Sequence, residues 1–445
     1  MKGRTHKFVK STFLLIILML SATVMVGFAG GLVHAATVTT FSQTYGGPND
    51  EQANAVIQTN DGGYALAGWT DSYGNGNINF WLVKTTSSGS QNWTQAYGNS
   101  GDNEANALVQ TSDGGYALAG FTNATGVGVY NFWLVKTDAN GNIQWSKSYG
   151  GSGDNEAYAL AKTSDGGFIL AGYTTSATIG GRQILLVKTD SSGNVIWTQT
   201  YGGSGDTEAN AVIQTSDGDY AVAGTTDAAG AGGLDFYLMK VNSDGVMLWN
   251  QTYGFAGDDV AYSLVQTSDG GYALAGRSYS FPDGFDNMWL VKTDSNGNMQ
   301  WSQTYNGGQE NQANALVVTS DGGFALAGSV YTSSGEAFWL LKTDSSGDLV
   351  WNAQYEPGDS YATSLIQTND GGYAVAGYTD AAGAGGWDFY LVKTDSNGAT
   401  SSSSSGFNFG SIEGLLIIAA VIIIVIGIIL FILARTRRPP QYPNQ

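Results

Sequence analysis

The stretch that decides the fold is Gly101–Gly151, which reads GDNEANALVQTSDGGYALAGFTNATGVGVYNFWLVKTDANGNIQWSKSYGG. Variants of this stretch fill nearly all of the chain between residues 40 and 398. One Asp-Gly turn of the repeat recurs at a spacing of 52 residues five times and then 49, at Asp61, Asp113, Asp165, Asp217, Asp269, Asp321 and Asp370. A period of this length is typical of repeat architectures in which each unit is one supersecondary motif.

Each unit has the pattern of four short strands. Ala107–Thr111 and Tyr116–Thr122 are joined by Ser-Asp-Gly-Gly, whose Asp-Gly pair suits a tight hairpin turn. Phe132–Thr137 and Ile143–Tyr149 flank a second turn cluster, Asp-Ala-Asn-Gly-Asn. Four antiparallel strands repeated about every 50 residues predict the blades of a β-propeller.

The two ends of the repeat region complete each other. Phe41–Gly47 resembles a fourth strand with no three strands before it, whereas the last unit, Ser364–Thr394, stops before any fourth strand. Pairing of the N-terminal strand with the last unit would remove the remaining open sheet edge. We therefore predict an all-β fold, a closed seven-bladed β-propeller of four-stranded antiparallel blades, over residues 36–398.

The sequence outside the repeats predicts export and membrane attachment. Basic residues precede an apolar run from Phe13 to about Val26, and Val33-His34-Ala35 offers small residues for cleavage, so residues 1–35 are predicted to be a signal peptide. The alternative is an uncleaved anchor. A Ser-rich linker, 399–411, precedes a predicted transmembrane helix at 412–434 that contains 20 uninterrupted apolar residues. Arg435, Arg437 and Arg438 place the tail, 435–445, in the cytoplasm and the propeller outside the cell.

Composition excludes several classes of chemistry. The chain has no Cys, and its two histidines, His6 and His34, both lie in the leader. This excludes Ser-His-Asp and Cys-His catalysis, and imidazole or thiolate metal sites, from the mature protein. The net charge of the whole chain is −19, and 36 acidic residues oppose 11 basic ones between residues 36 and 412. Nucleic acid is therefore a poor partner, and we expect no catalytic residue, metal or cofactor.

Acidic residues also recur between the units, just before each predicted first strand. Asp102 and Glu104 are one such pair, and Asp154 and Glu156 are another. Capping of turns by the side-chain oxygens is the favoured interpretation. A carboxylate ring that binds calcium is the alternative, although the spacing of a dedicated calcium loop is absent.

Positions that are constant in all units are expected to be structural. Lys136 and its six equivalents on the third strand are expected to pair with an Asp of the first hairpin of their own or a neighbouring blade. Trp145 and its equivalents on the fourth strand, together with Trp133 on the third, are expected to pack between blades. Sugar platforms are the alternative role for a few of these tryptophans.

Variable positions are candidates for binding. After the Ala-Gly that ends each second strand, the units place Trp69, Phe121, Tyr173, Thr225, Arg277, Ser329 and Tyr378. The four aromatic residues of this set, here called the aromatic arc, come from blades that are consecutive in a closed ring. Trp387 and the polar side chains of Asn79, Asn131 and Asp388 are expected beside it. Such a surface suits saccharide rings or extended peptides, with Arg277 on the opposite side; neutral drift of exposed loops is the alternative.

The motifs DGG(Y/F)-A-(L/V)-A-G, F-W-L-V-K-T-D and G-N-x-x-W-x-x-T-Y-G-G resemble those of propeller-repeat surface proteins of bacteria and archaea, of Kelch or quinoprotein-like type. The resemblance covers residues 38–398 and implies a blade type, with no catalytic residue carried across. We expect a membrane-anchored extracellular binding or adhesion module for a glycan or a surface protein. The alternatives are an architectural envelope protein and a carboxylate-dependent carbohydrate-active enzyme. Asn92, Asn123 and Asn250 lie in N-glycosylation sequons.

Overall fold

A computed structural model describes residues 39–400 except 76, 99–100, 124–128, 177–179, 282–283, 334 and 356–357. The described residues form 28 strands in seven four-stranded antiparallel sheets. None of them forms a helix long and apolar enough to cross a membrane. The predicted signal peptide, the transmembrane helix, the cytoplasmic tail and residues 401–411 of the linker lie outside the described residues.

Each blade is a meander of consecutive strands, and the strand that begins the chain completes the last blade. Blades 1 and 2 consist of β2 (Glu51–Gln58), β3 (Tyr64–Thr70), β4 (Asn79–Thr85), β5 (Gln91–Tyr97), β6 (Asn103–Gln110), β7 (Tyr116–Thr122), β8 (Asn131–Thr137) and β9 (Ile143–Tyr149). Blades 3 and 4 consist of β10 (Asn155–Lys162), β11 (Phe168–Thr174), β12 (Gln183–Thr189), β13 (Val195–Tyr201), β14 (Thr207–Gln214), β15 (Tyr220–Thr226), β16 (Asp235–Val241) and β17 (Met247–Tyr253). Blades 5 and 6 consist of β18 (Asp259–Gln266), β19 (Tyr272–Ser278), β20 (Asn287–Thr293), β21 (Met299–Tyr305), β22 (Asn311–Val318), β23 (Phe324–Thr332), β24 (Gly335–Thr343) and β25 (Leu349–Tyr355). Blade 7 consists of β26 (Ser360–Gln367), β27 (Tyr373–Thr379), β28 (Asp388–Thr394) and β1 (Phe41–Tyr45).

The predicted ring of seven closed blades is confirmed. β1 pairs with β28 in antiparallel register from Phe41 opposite Lys393 to Tyr45 opposite Phe389. The first strand of each blade packs against the first strands of its two neighbours, including β2 against β26. These seven inner strands surround a central channel. We call the end of the ring at which each second strand finishes the upper face.

The first strand of each blade begins earlier than the sequence pattern predicted. In blade 2 the strand starts at Asn103 rather than at Ala107, and its register shifts between Ala105 and Ala107. This β-bulge interrupts the alternation of side chains, so the pattern hides the first half of the strand. As a result Glu104 lies within β6 and not in the link before it, which corrects the expected position of that carboxylate.

The Asp residues of the links have the capping role that the sequence favoured. Asp154 Oδ1 accepts a hydrogen bond from the amide of Tyr130 at 3.2 Å, and Asp50 Oδ1 accepts one from the amide of Trp387 at 2.9 Å. The equivalent bond in blade 4 joins the Arg182 amide to Asp206 at 2.6 Å. Each of these carboxylates therefore fastens the loop of the preceding blade to the link.

The apolar core lies between blades. Each of the seven hydrophobic clusters combines residues of two consecutive blades, as in the cluster of Phe80 from blade 1 with Leu118 from blade 2. The fourth-strand Trp93 is half-buried and packs over the turn of the next blade, so closely that a Cβ on Gly141 would lie 2.8 Å from its ring. Gly141 has a φ of 80°, which a residue with a side chain rarely adopts. The tryptophans are thus part of the interface between blades.

The constant lysines form the predicted ion pairs with the first hairpin of their own blade. Nζ–Oδ2 distances are 2.8–3.0 Å in six blades, and Lys240 contacts Asp217 in the seventh. The lysine side chains are only 2–12% exposed, whereas the partner carboxylates are 34–64% exposed. Six of these lysines also donate to the backbone, for example Lys136 to the Thr137 carbonyl at 2.8 Å. The pairs therefore anchor the hairpin to a buried ammonium group.

Candidate functional site

The central channel opens on the upper face, where the repeats differ most. A cavity of about 780 Å³ follows the inner strands and reaches Tyr158, Glu208, Tyr262 and Arg277 at its mouth. These four residues come from blades 3, 4 and 5. Since the inner strands converge here, side chains from several blades can contact one ligand.

An aromatic cluster stands at the upper face of blade 7. Tyr361 and Tyr378, which are opposite each other on β26 and β27, stack with ring centroids 5.1 Å apart and an interplanar angle of 23°. Trp387 contacts both edge-on, at 5.2 Å from Tyr378 and 5.5 Å from Tyr361. All three side chains are partly exposed. The cluster therefore presents apolar rings that stay accessible to a ligand.

A second cluster in blade 3 is held by hydrogen bonds and charge. Glu156 accepts hydrogen bonds from Tyr173 at 2.7 Å and from Tyr158 at 3.1 Å. The Arg182 guanidinium lies 4.4 Å above the Tyr173 ring and forms an ion pair of 2.6 Å with Glu208. Burial and then the Glu156 carboxylate raise the pKa of Tyr158 well above its usual range. Tyr158 is thus a neutral hydroxyl at the channel mouth.

Arg277 connects the channel mouth to a smaller cavity. Its Nη1 forms an ion pair of 2.9 Å with Asp286, and its Nε donates to the Tyr262 hydroxyl at 3.2 Å. Asp286 lines a cavity of about 260 Å³ that also contacts Glu310, Glu336 and the Tyr361 of the aromatic cluster. The upper face therefore carries a continuous series of sites from blade 7 through blade 5 to the channel.

Two carboxyl groups of this surface are hard to ionise. Burial, followed by the charges of Asp359 and Glu310, raises the pKa of Glu336 to about 7. Burial, followed by the charges of Glu156 and Asp102, raises the pKa of Glu104 to about 7. Near neutral pH each group can both donate and accept a hydrogen bond. Such groups suit a ligand with many hydroxyls.

The structure separates the predicted binding residues into two groups. Tyr378 and Trp387 are brought together in the aromatic cluster, and Arg277 lies at the channel mouth, partly exposed. Trp69 is half-buried, opposite Gln52. Phe121 and Tyr173 are buried, Phe121 in edge contact with Tyr130 at 4.9 Å and Tyr173 under Arg182.

Two of the polar residues expected beside the aromatic arc occupy other surroundings. Asn79 and Asp388 are both 1% exposed and lie at the junctions between blades, so they do not line the upper face as expected. They begin the third strands of their blades, where the chain enters the sheet. Of the sequon residues, Asn92 and Asn250 are exposed on β5 and β17, and Asn123 accepts a hydrogen bond from the Asp102 amide at 2.7 Å.

Sequence reasoning missed three tyrosines that the structure places at the mouth or in the aromatic cluster. Tyr158 and Tyr262 stand where other blades carry Asn54, Asn106, Asn210 and Asn314, whose amides donate to the next blade's backbone. Tyr361 replaces the Gln or Glu found at the second position of most first strands. The sequence signal was that a Tyr interrupts a position that is polar in most other repeats. It was missed because the bulge left these positions outside the predicted first strand.

Comparisons with known proteins show no family for this chain. No family model matches the chain. It is 27% identical to the regulatory protein FlaEY of Caulobacter vibrioides over 206 residues, which are 40% of this chain and 21% of that protein. The chain therefore spans about a fifth of the length of this relative.

Similar solved structures include two fungal proteins. The Pan2 WD40 domain of Neurospora crassa is 10% identical, with a TM-score of 0.49, over 80% of this chain and 96% of that one. Sqt1 of Chaetomium thermophilum, bound to the N-terminus of the ribosomal protein L10, is 12% identical, with a TM-score of 0.46, over 79% and 98%.

Proposed function

We propose that this protein is a membrane-anchored extracellular binding module whose upper face takes a polysaccharide. The observation that carries the proposal is the aromatic cluster of Tyr361, Tyr378 and Trp387, beside the cavity of Glu310 and Glu336. Aromatic faces stack on sugar rings, while neighbouring carboxyl and amide groups hydrogen-bond sugar hydroxyls. Together they match a chain of saccharide units better than a small compact ligand.

The charges of the upper face favour a neutral or cationic glycan over an anionic one. Arg277 lies at the channel mouth and pairs with Asp286, and Arg182 pairs with Glu208, which lines the same channel. Other carboxylates of the upper face, among them Glu310 and Asp359, form no ion pair with a Lys or Arg of the described residues. A polyanionic glycan would therefore meet a negative potential.

Binding is tested with the full-length protein, purified in detergent, on an array of glycans. The triple substitution Tyr361→Ala, Tyr378→Ala and Trp387→Ala is expected to reduce the signal of the best neutral glycan at least tenfold. Tyr279→Ala is the matched control, because Tyr279 is 54% exposed and lies outside both cavities. Unchanged binding by the triple variant, at an unchanged melting temperature, would remove the aromatic cluster as the site.

The topology part of the proposal is supported by the predicted leader, the apolar run before Ala434 and the arginines that follow it. Protease added to intact cells is expected to degrade the propeller and to spare an epitope fused after Gln445. Digestion of the epitope in sealed cells would reverse the orientation.

A carbohydrate-active enzyme is the second candidate, and Glu336 is the observation that favours it. Its Oε2 is buried without a hydrogen-bond partner among the described residues, and its raised pKa suits a general acid. We rank binding first because Glu104, in another blade, also has a raised pKa. A raised pKa therefore does not by itself mark Glu336 as a catalytic residue. Release of reducing sugar from a bound glycan, abolished by Glu336→Gln, would establish the enzyme.

A further inference from the structure

Two polar side chains meet at most junctions between consecutive blades. One begins the third strand of a blade, and the other begins the first strand of the next blade. At the junction of blades 1 and 2 these are Asn79 and Asn103, and a Cβ on Gly98 would lie 2.0 Å from Asn79 Oδ1 and 2.9 Å from Asn103 Nδ2. One acceptor and one donor thus pack closely against this glycine.

The donor has a defined task, which Asn311 at the junction of blades 5 and 6 illustrates. Its Nδ2 donates to the carbonyls of Asp286 at 3.1 Å and Gly308 at 3.3 Å, while its Oδ1 accepts from the Gly307 amide at 3.2 Å. Asn103 similarly donates to the Ile78 carbonyl at 3.2 Å. The amide nitrogen therefore satisfies backbone carbonyls that would otherwise be buried beside an acceptor.

The junction of blades 4 and 5 has no such donor. It combines Asp235 and Asp259, which are 1% and 0% exposed. A Cβ on Gly254 would lie 1.8 Å from Asp235 Oδ1 and 2.8 Å from Asp259 Oδ2, so both carboxylates pack closely against the same glycine. An acceptor has replaced the donor, and two negative groups face each other in a buried position.

In each carboxylate, one oxygen accepts hydrogen bonds from described residues and the other accepts none. Asp235 Oδ2 accepts from the Ala231 amide at 2.9 Å, and Asp259 Oδ2 accepts from the Phe255 amide and the Ser280 hydroxyl, both at 2.9 Å. Both Oδ1 atoms are buried and have no hydrogen-bond partner among the described residues. No Lys or Arg of the described residues forms an ion pair with either side chain.

The Leu234 carbonyl is a third oxygen at the junction of blades 4 and 5. The Asp259 amide donates to the Leu234 carbonyl at 2.6 Å, just as the Asn311 amide donates to the Asp286 carbonyl at 3.0 Å. Asn311 Oδ1 and Asp259 Oδ2 both accept from the amide four residues before them. The Asp259 side chain thus takes the place in which Asn311 supplies a donor, and it offers only acceptor oxygens beside the Leu234 carbonyl.

We propose that a divalent cation, with Ca²⁺ as the ion that fits best, binds between Asp235 and Asp259 at the junction of blades 4 and 5. Carboxylate and carbonyl oxygens are the ligands that Ca²⁺ takes in proteins, with water completing the coordination. The cation replaces the missing amide donor and neutralises the paired charges. It fastens two blades on the side of the ring that carries Arg277.

A second junction is also acidic, but its hydrogen bonds differ, and the proposal therefore applies only to the junction of blades 4 and 5. Glu51 and Asp388 meet between blades 7 and 1, but Glu51 uses both oxygens, accepting from the Thr70 hydroxyl at 2.7 Å and from the Gly47 amide at 2.6 Å. Only Asp388 Oδ1 is left without a partner there. A single unpaired oxygen makes a poor cation site, whereas two neighbouring buried carboxylates supply a pair of ligands.

The test uses the full-length protein in detergent and Ca²⁺ alone as the probe. At pH 7.5, saturating Ca²⁺ is expected to raise the melting temperature above that in EDTA by roughly 3 to 5 °C, as tight binding to the folded state alone requires. Calcium titration is expected to show a bound ion that Asp259→Asn removes. Because Asn at this position supplies the donor seen in Asn311, the variant is expected to melt, in EDTA, at or above the unsubstituted protein.

Asp348→Asn is the matched control. Asp348 is exposed in a turn where other blades carry Asn142, Asn194 and Asn298, so its substitution is expected to leave calcium binding unchanged. Two outcomes would overturn the proposal. One is calcium binding that survives in Asp259→Asn; the other is a melting temperature of the unsubstituted protein that is insensitive to Ca²⁺ and EDTA at pH 7.5.

Discussion

The Tyr45 hydroxyl donates a hydrogen bond of 2.6 Å to the Gly89 carbonyl, which joins the strand that begins the propeller to the next blade of the ring. The same bond occurs at every other junction, for example from Tyr97 to Gly141 and from Tyr201 to Gly245. The junction at which the two chain ends meet is therefore built like the six junctions inside the chain.

Substitution of Tyr45 by Phe is expected to destabilise the fold by about 1–3 kcal/mol, because the Gly89 carbonyl loses its donor in a buried place. Tyr201→Phe removes the corresponding bond far from the chain ends and is the matched comparison. Chemical denaturation measures both. A negligible loss for Tyr45→Phe beside a clear loss for Tyr201→Phe would mean that the closing junction is open in solution.

Deletion of residues 38–47 removes β1 and exposes β28 as a sheet edge. An unpaired edge of seven residues invites pairing with another chain. The deletion is expected to lower the melting temperature and to cause association that grows with concentration, seen by light scattering. A monomeric product with unchanged melting would contradict the role of β1 in closing the ring.

The buried lysines are expected to matter more than surface pairs usually do. Lys136→Met removes the donor to the Thr137 carbonyl and the partner of Asp113, so we expect a loss of about 1–3 kcal/mol in denaturation experiments. Lys147→Met is the control, because Lys147 bonds Asn194 near the surface, and is expected to change stability by at most about 0.5 kcal/mol. Equal effects of the two substitutions would refute a special role for Lys136.

Stability is expected to fall on both sides of about pH 4 to 5. The raised pKa of Glu104, about 7 against 4.5, means that the folded state holds its proton more tightly, so this contribution is present below pH 4.5 and is lost as the pH rises through 7. The hydrogen bond from Lys292, followed by that from Thr267, lowers the pKa of Asp269 from 3.8 to about 2. That contribution is present above pH 3.8 and is lost as the pH falls towards 2.

Melting temperatures measured from pH 2 to 8 check this pH dependence. Glu104→Gln is expected to flatten the decline above pH 5, and Asp269→Asn to flatten the decline below pH 4. A profile that rises steadily to pH 8 in the unsubstituted protein would show that the buried carboxyls are ionised without cost.

The repeat determined the blade, and particular residues show why. The turn at Asp113 and Gly114 could be predicted because only local chemistry is involved: Asp113 accepts from the Gly115 amide, and Gly114 has a φ of 82°. The bounds of β7 and β9 agree with the predicted strands, and β7 pairs with β8 without a register shift. β6 was predicted too short because the register shift after Ala105 breaks the alternation.

The sequence by itself determined the number of blades, the strand that closes the ring and the absence of Cys and His from the repeats, because these follow from period, local propensity and composition. Only the tertiary structure decided which variable residues meet. Phe121 and Tyr378 occupy the same position of the repeat, yet Phe121 is buried against Tyr130 while Tyr378 stacks on Tyr361 at the surface. The difference arises because a side chain's exposure depends on neighbours that a repeat pattern does not encode, including those from loops. Likewise Asp235 and Asp259 are separate acidic residues in the sequence, and the packing of one blade on the next makes them a pair.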